Sequence, residues 1–265
     1  NMINKMISSV GVGVTSAGGT GTLYIDKTDD NYGIGENLTF FSTAEDNIAI
    51  GENALNSTTG SSVQNVGIGT DALTTLKTGN NNTVIGFNAL SDLDASDNIA
   101  GSEGNTVLGS YAMSGAVSTV TANVAINHCV AIGYQSLMGG LSGSGVTGTV
   151  AIGKDSLKVL TSGAGNTAIG YNAMAAADGA EDSNVAIGYN AMLSVDHDAA
   201  DENIVIGHSA GTGGGAALSG CIVIGSAAMN STADNTQTGT IAIGASALTA
   251  LTDGAGNIAI GYEAM

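Results

Sequence analysis

The chain has 265 residues, 41 of them Gly and none Pro or Trp, and its 23 acidic residues against five Lys and no Arg give a formal net charge of −18. That charge excludes nucleic-acid binding, whose affinity comes from neutralising phosphates with Lys and Arg, and no apolar run reaches the roughly 18 residues of a membrane helix. Hydrophobic residues are 43% of the chain and aromatics only 4%, so the chain is not disordered by composition and its core has to be built from small aliphatic side chains.

In chain order, residues 1–30 come first. They lack the apolar core of a signal peptide. A Gly-rich stretch from Gly11 to Gly21 leads to a strand-like Thr22-Leu23-Tyr24-Ile25. This segment is expected to be an N-terminal cap or the end of an upstream domain. From residue 31 to 265 one unit recurs, Asn-x-small-Ile-Gly-x-x-Ala-Leu/Met. It is clearest where Asn47 precedes Ile50 and Gly51, where Asn184 precedes Ile187 and Gly188, and where Asn257 precedes Ile260 and Gly261. The central glycines are Gly35, Gly51, Gly69, Gly86, Gly109, Gly133, Gly153, Gly170, Gly188, Gly207, Gly225, Gly244 and Gly261, 13 copies at spacings of 16 to 24 residues. The two longest gaps hold degenerate copies, Asn98-Ile99-Ala100 and Asn123-Val124-Ala125-Ile126. The pattern runs to Met265, so a fragment of a longer protein is expected.

Each column has a physical reading. Ile, or Leu108, precedes the glycine, and a β-branched residue or Tyr32 stands two places earlier, with Gly, Ala or Val between them. Strand residues alternate faces, so both faces are apolar, as in buried parallel strands. The Ile face is expected to fill the coil interior, and the small-residue face to be sealed by neighbouring chains. The invariant glycine turns the chain. Ala or Ser follows three residues on in 12 copies, then Leu or Met in 11, reading as a second inward corner. Four places before the glycine stands Asn in nine copies, Cys in two and Thr in two, and stacked amides can hydrogen-bond from coil to coil. Variable, turn-rich segments separate the units. The fold class is therefore all-β, a parallel β-solenoid of about 13 coils, roughly 60 Å long at about 4.8 Å per coil.

The run Ala-Ile-Gly-x-x-Ala, preceded by Asn and a β-branched residue, resembles the head repeats of YadA-like trimeric autotransporter adhesins. The longer unit, as in Asn166-Thr167-Ala168-Ile169-Gly170-Tyr171-Asn172-Ala173-Met174, is similar to repeats of phage tail fibres and related surface fibres. The resemblance covers residues 31 to 265. It implies a left-handed β-roll with three chains side by side, hence a homotrimer, located on a virion or at an extracellular surface.

Several apparent motifs reduce to the repeat. Gly207-His208-Ser209-Ala210-Gly211 spells a nucleophile elbow, but its first glycine and its alanine are repeat columns. Gly148 to Lys154 resembles a phosphate loop, yet Asp155 stands where Ser or Thr is needed. Cys129 and Cys221 occupy the Asn column five coils apart, roughly 24 Å, beyond disulfide reach. His128 beside Cys129 points to the opposite face. No enzyme and no cofactor is expected. Acidic loops hold Asp92, Asp94 and Asp97; Asp178, Glu181 and Asp182; and Asp196, His197, Asp198, Asp201 and Glu202. Such oxygen ligands suit calcium, against the plainer reading of a solvated, self-repelling surface. Directly after the glycine stand Phe87, Tyr134, Tyr171, Tyr189, His208 and Tyr262, which read either as an aromatic strip for sugar stacking or as a shield over coil corners. The functional expectation is a stiff, non-enzymatic fibre shaft of a phage tail fibre or similar appendage that carries or forms a receptor-binding surface. The alternative is a bacterial adhesin head that binds glycan or matrix. Partners expected are sister chains and a host glycan or receptor, with no direct membrane insertion.

Overall fold

A computed structural model describes residues 12–16, 19–26, 29–38, 44–56, 62–74, 79–91, 102–115, 126–139, 146–195, 199–213, 218–231, 236–251 and 254–265. These residues form an all-β solenoid, with no helix among them. Its main sheet has 15 strands. Val12–Ser16 and Gly19–Asp26 pair antiparallel, and Gly19–Asp26 pairs antiparallel with Asn31–Gly35. Every later pairing in this sheet is parallel and joins successive copies of the repeat, from Asn31–Gly35 and Ile48–Ile50 to Ile241–Ile243 and Ile258–Ile260. The register is column on column: Val130, Val150, Thr167, Val185 and Ile204 lie in one line, and Ile132, Ile152, Ile169, Ile187 and Ile206 in another. Two short pairs, Ser62–Val63 with Gly79–Asn80 and Leu218–Ser219 with Gln237–Thr238, belong to a second wall. The degenerate copies at 98–100 and 123–125 lie outside the described residues.

The orientation of the strands corrects one expectation. The middle residue of each strand, not the Ile pair, points inward. Ala49, Val84, Ala131, Ala151, Ala168, Ala186 and Ala242 are fully buried, whereas Ile48 and Ile50 are 40% and 39% exposed. The Leu and Met column decides this. Leu73, Leu90, Met113, Leu137, Leu157, Met174 and Met192 are fully buried, each stabilising by about 1.5–3 kcal/mol. They reach across the narrow coil, and the residue opposite is never larger than Val, as Val84, Val107 and Val223 show. A Cβ placed on Gly67 would lie 3.2 Å from Leu55 Cγ. In the coil where Gly211 replaces the large residue, Val205 and Leu218 border the space, 3.0 and 3.6 Å from where a Gly211 Cβ would stand.

The corner glycine is required by a neighbouring backbone. Gly153 has φ 132°, and a Cβ there would meet the Gly170 carbonyl oxygen at 2.3 Å. The ladder runs on through the corner. Gly51 N–H donates to the Ile34 carbonyl at 2.8 Å, Asn53 N–H to Glu36 at 2.9 Å, and Leu55 N–H to Ala72 at 2.9 Å. Successive coils are thus bonded along their corners as well as their strands.

Candidate functional site

Three features carry side-chain chemistry: a buried amide ladder, a second wall with acidic residues, and an exterior corner with rings. In the first, Asn47 Nδ2 donates to Asn31 Oδ1 at 2.9 Å and to the Ser62 carbonyl at 2.8 Å, and Asn47 N–H also donates to Asn31 Oδ1. The same pattern continues through Asn65, Asn82 and Asn105, and again from Asn166 to Asn184 and Asn203. Both cysteines stand where the ladder breaks. Cys129 N–H still donates to Asn105 Oδ1 at 2.9 Å and Cys221 N–H to Asn203 Oδ1 at 2.9 Å. Their thiols point at the carbonyls of Val146 and Gln237. Burial pushes the Cys129 thiol up to about 11 and raises that of Cys221, which leaves both protonated and unreactive near neutrality. His128 faces out while Cys129 is fully buried, so they form no dyad.

The acidic residues are placed as hydrogen-bonding parts of the second wall. Asp182 accepts the Ala164 N–H, and Asp201 Oδ1 accepts the Asp182 N–H at 2.7 Å. Asn80 and Asn127 do the same for Val63 and Glu103 at 3.0 Å. The Asp178 carbonyl accepts the Thr161 hydroxyl, and Glu181 Oε2 accepts the Gly179 N–H. Glu202 is exposed. Asp92, Asp94, Asp97, Asp196, His197 and Asp198 lie outside the described residues. Among the described residues no group of three or more His, Cys, Asp or Glu is placed to hold a metal ion.

At the exterior corner the structure makes a continuous row over seven successive coils. Phe87 and Tyr111 meet edge to face at 5.4 Å, and Tyr111 and Tyr134 at 6.1 Å. Lys154 Nζ lies 5.9 Å from the Tyr134 ring and 5.1 Å from the Tyr171 ring. Tyr171 and Tyr189 then stack at 5.1 Å, and Tyr189 and His208 at 5.2 Å. The parallel stacking follows from register, because in-line rings are separated by roughly the strand spacing. Lys154 also pairs with Asp155, whose Oδ1 lies 3.3 Å from Lys158 Nζ. Burial opposes the Asp155 charge, but hydrogen bonds from Lys154 and Lys158 hold its carboxyl below the usual range. The Asp155 hydrogen bond raises the Lys154 ammonium in turn. Tyr262 lies outside the row, separated from His208 by the corners at Ser226 and Ala245. Tyr111 and Lys154 are the members that the aromatic pattern missed. Tyr111 stands one place later than the other rings, and Lys154 is not aromatic.

The apparent motifs have ladder positions. Ser209 N–H donates to the Tyr189 carbonyl at 2.8 Å, at a corner that seven other coils build with Asn or Asp and one, at Ser246, also with Ser. Lys154 is held by Asp155 and two rings, and Gly153 is a corner glycine. Among the described residues neither corner leads into a helix, which an elbow and a phosphate loop each require. No protein-family model, curated protein or solved structure matches the chain.

Proposed function

We propose that the chain is a non-enzymatic shaft segment of a phage tail fibre or similar appendage, in which sister copies cover the outward Ile face and the assembled rod presents a receptor-binding surface. One observation carries this reading. The two outward columns of the 13 parallel strands hold 26 residues, of which 22 are Ile, Val or Leu, one is Tyr and three are Thr, and none is charged. Ile34, Ile48, Leu108 and Ile204 are 55%, 40%, 45% and 40% exposed. A strip three residues wide and about 60 Å long covers on the order of 600 Å². That stands at the upper limit of apolar patches on monomers, roughly 300–600 Å², and near the roughly 800 Å² per partner of a standard interface. Depletion of charge in such a strip is the compositional mark of an interface core. The threefold stoichiometry and the appendage come from the resemblance of the repeat to adhesin heads and tail fibres.

The test is sedimentation and native mass of the full chain at micromolar concentration. The expected mass is three times that of the chain. Replacing Ile169, Ile187 and Ile206 with Ser should reduce it to one chain while the β-sheet circular dichroism persists, because these side chains line the outside of the coil. A wild-type chain that stays monomeric would sink this reading.

A further inference from the structure

We propose that the corner row from Phe87 to His208 is a binding strip for an uncharged linear polysaccharide lying along the rod axis; this rests on the shaft reading and names the ligand class of its surface. The fold itself does not call for these rings. The same corner position holds Glu52, Thr70, Ser226 and Ala245 in other coils, and the preceding glycines Gly51, Gly69, Gly225 and Gly244 keep φ between 131° and 138° there. Among the described residues no Phe or Tyr is in the buried core. Yet five of the ten Phe and Tyr residues of the chain gather in this one row, and Phe87, Tyr134, Tyr171 and Tyr189 are 40–49% exposed. Rings that the coil does not need, lined up on an outer surface, are the amphipathic contacts typical of binding faces.

The geometry selects the ligand class. The row has seven members, one per coil, so it extends about 29 Å at the strand spacing. A ligand that uses all of it has to be long and repetitive itself. The Tyr171, Tyr189 and His208 faces cover one another at 5.1 and 5.2 Å, which closes them to an inserting planar ring. Tyr134, Tyr171 and Tyr189 are 40–49% exposed, His208 is exposed and the Lys154 side chain is 48% exposed, so groups with polar atoms recur along the axis to meet a hydroxyl-rich chain. Tyr111, turned by 79° and 80° from its neighbours, breaks the stacking and leaves ring surface that its neighbours do not cover. A charge of −18 repels polyanions, and the Lys154 charge is already paired with Asp155, so the polymer is neutral. Several weak contacts per strand of ligand then add through multivalency. The ring position stands two residues past the outer Ile column, beyond the corner glycine.

The test is affinity electrophoresis of the full chain through gels containing dextran, xylan or a linear β-1,3-glucan, with heparin as the polyanion control. The wild-type chain should be slowed in at least one neutral gel. The variant with Tyr134→Ser, Tyr171→Ser and Tyr189→Ser should lose that retardation by roughly tenfold or more, as hot-spot aromatics do when truncated. Ser is native at this corner in Ser226, so melting should show the variant folded. Should the triple variant not fold, Tyr189→Ala alone, which copies Ala245, is expected to weaken retardation in the same gel. No retardation in any neutral gel, retardation in heparin alone, capture of a protein ligand without polysaccharide retardation, or equal retardation of wild type and variants each overturns the strip. Sedimentation of the same samples separates the two readings. An assembled rod that is not slowed rejects the strip only, and a monomer rejects the shaft.

Discussion

Leu55, Met174 and their column mates hold φ near 50°, a left-handed conformation that costs residues with a Cβ about 1–2 kcal/mol. The cost is offset because that backbone aims each side chain into the coil, where full burial contributes about 1.5–3 kcal/mol. The column was legible as an inward corner, but its backbone was not, since a left-handed residue is ordinarily signalled by Gly or Asn rather than Leu or Met. The cysteines show the same balance of local and tertiary causes. A raised thiol pKa means that the folded state holds its proton longer than the unfolded chain. Stability from Cys129 is therefore complete below the unfolded value near 9 and is lost as pH rises toward about 11. Neither Cys129 nor Cys221 should react with a disulfide reagent at pH near 8 until denaturant is added. Rapid labelling of the folded chain would contradict their burial.

At the scale of an element, the amide ladder ties each coil to the next. Asn184 supplies an acceptor for the Asn203 N–H and amide and a donor to the Ala200 carbonyl. Asn184→Ala strands those groups in the interior and should cost on the order of 3 kcal/mol or more, read as a lower urea midpoint. Thr149 gives the opposite expectation. Its buried Oγ1 has no hydrogen-bond partner, so Thr149→Val should be neutral or stabilising by about 1–2 kcal/mol. A large loss at Thr149 would mean that the ladder continues through the break. The Asn column itself could be read from its repetition. The roles of Asp182 and Asp201 could not, because the second-wall column also holds Glu45, Val63 and Thr147 and shows no constant residue type.

For the whole molecule, a stack of coils stabilised by nearest neighbours is opposed by its own charge. Lys154 and Lys158 are the described lysines, and both pair with Asp155, so most of the acidic charge has no local partner cation to neutralise it. Raising salt from low ionic strength to about 0.5 M should raise Tm by a few degrees, by screening that repulsion. A melting scan by circular dichroism checks it, and a falling Tm would show that ion pairs outweigh repulsion. Read alone, the sequence determined the solenoid: the invariant glycine sets where the chain turns, and the alternation sets which residues share a face. It also placed Phe87, Tyr134, Tyr171 and Tyr189 at one corner. Only the tertiary structure decided which apolar face is inside. Period-two alternation is blind to that choice when both faces are apolar, and the Leu and Met side chains arriving from the opposite wall leave room for Ala but not for Ile. The Ile columns are thereby turned outward, where Ile34 and Ile48 are 55% and 40% exposed.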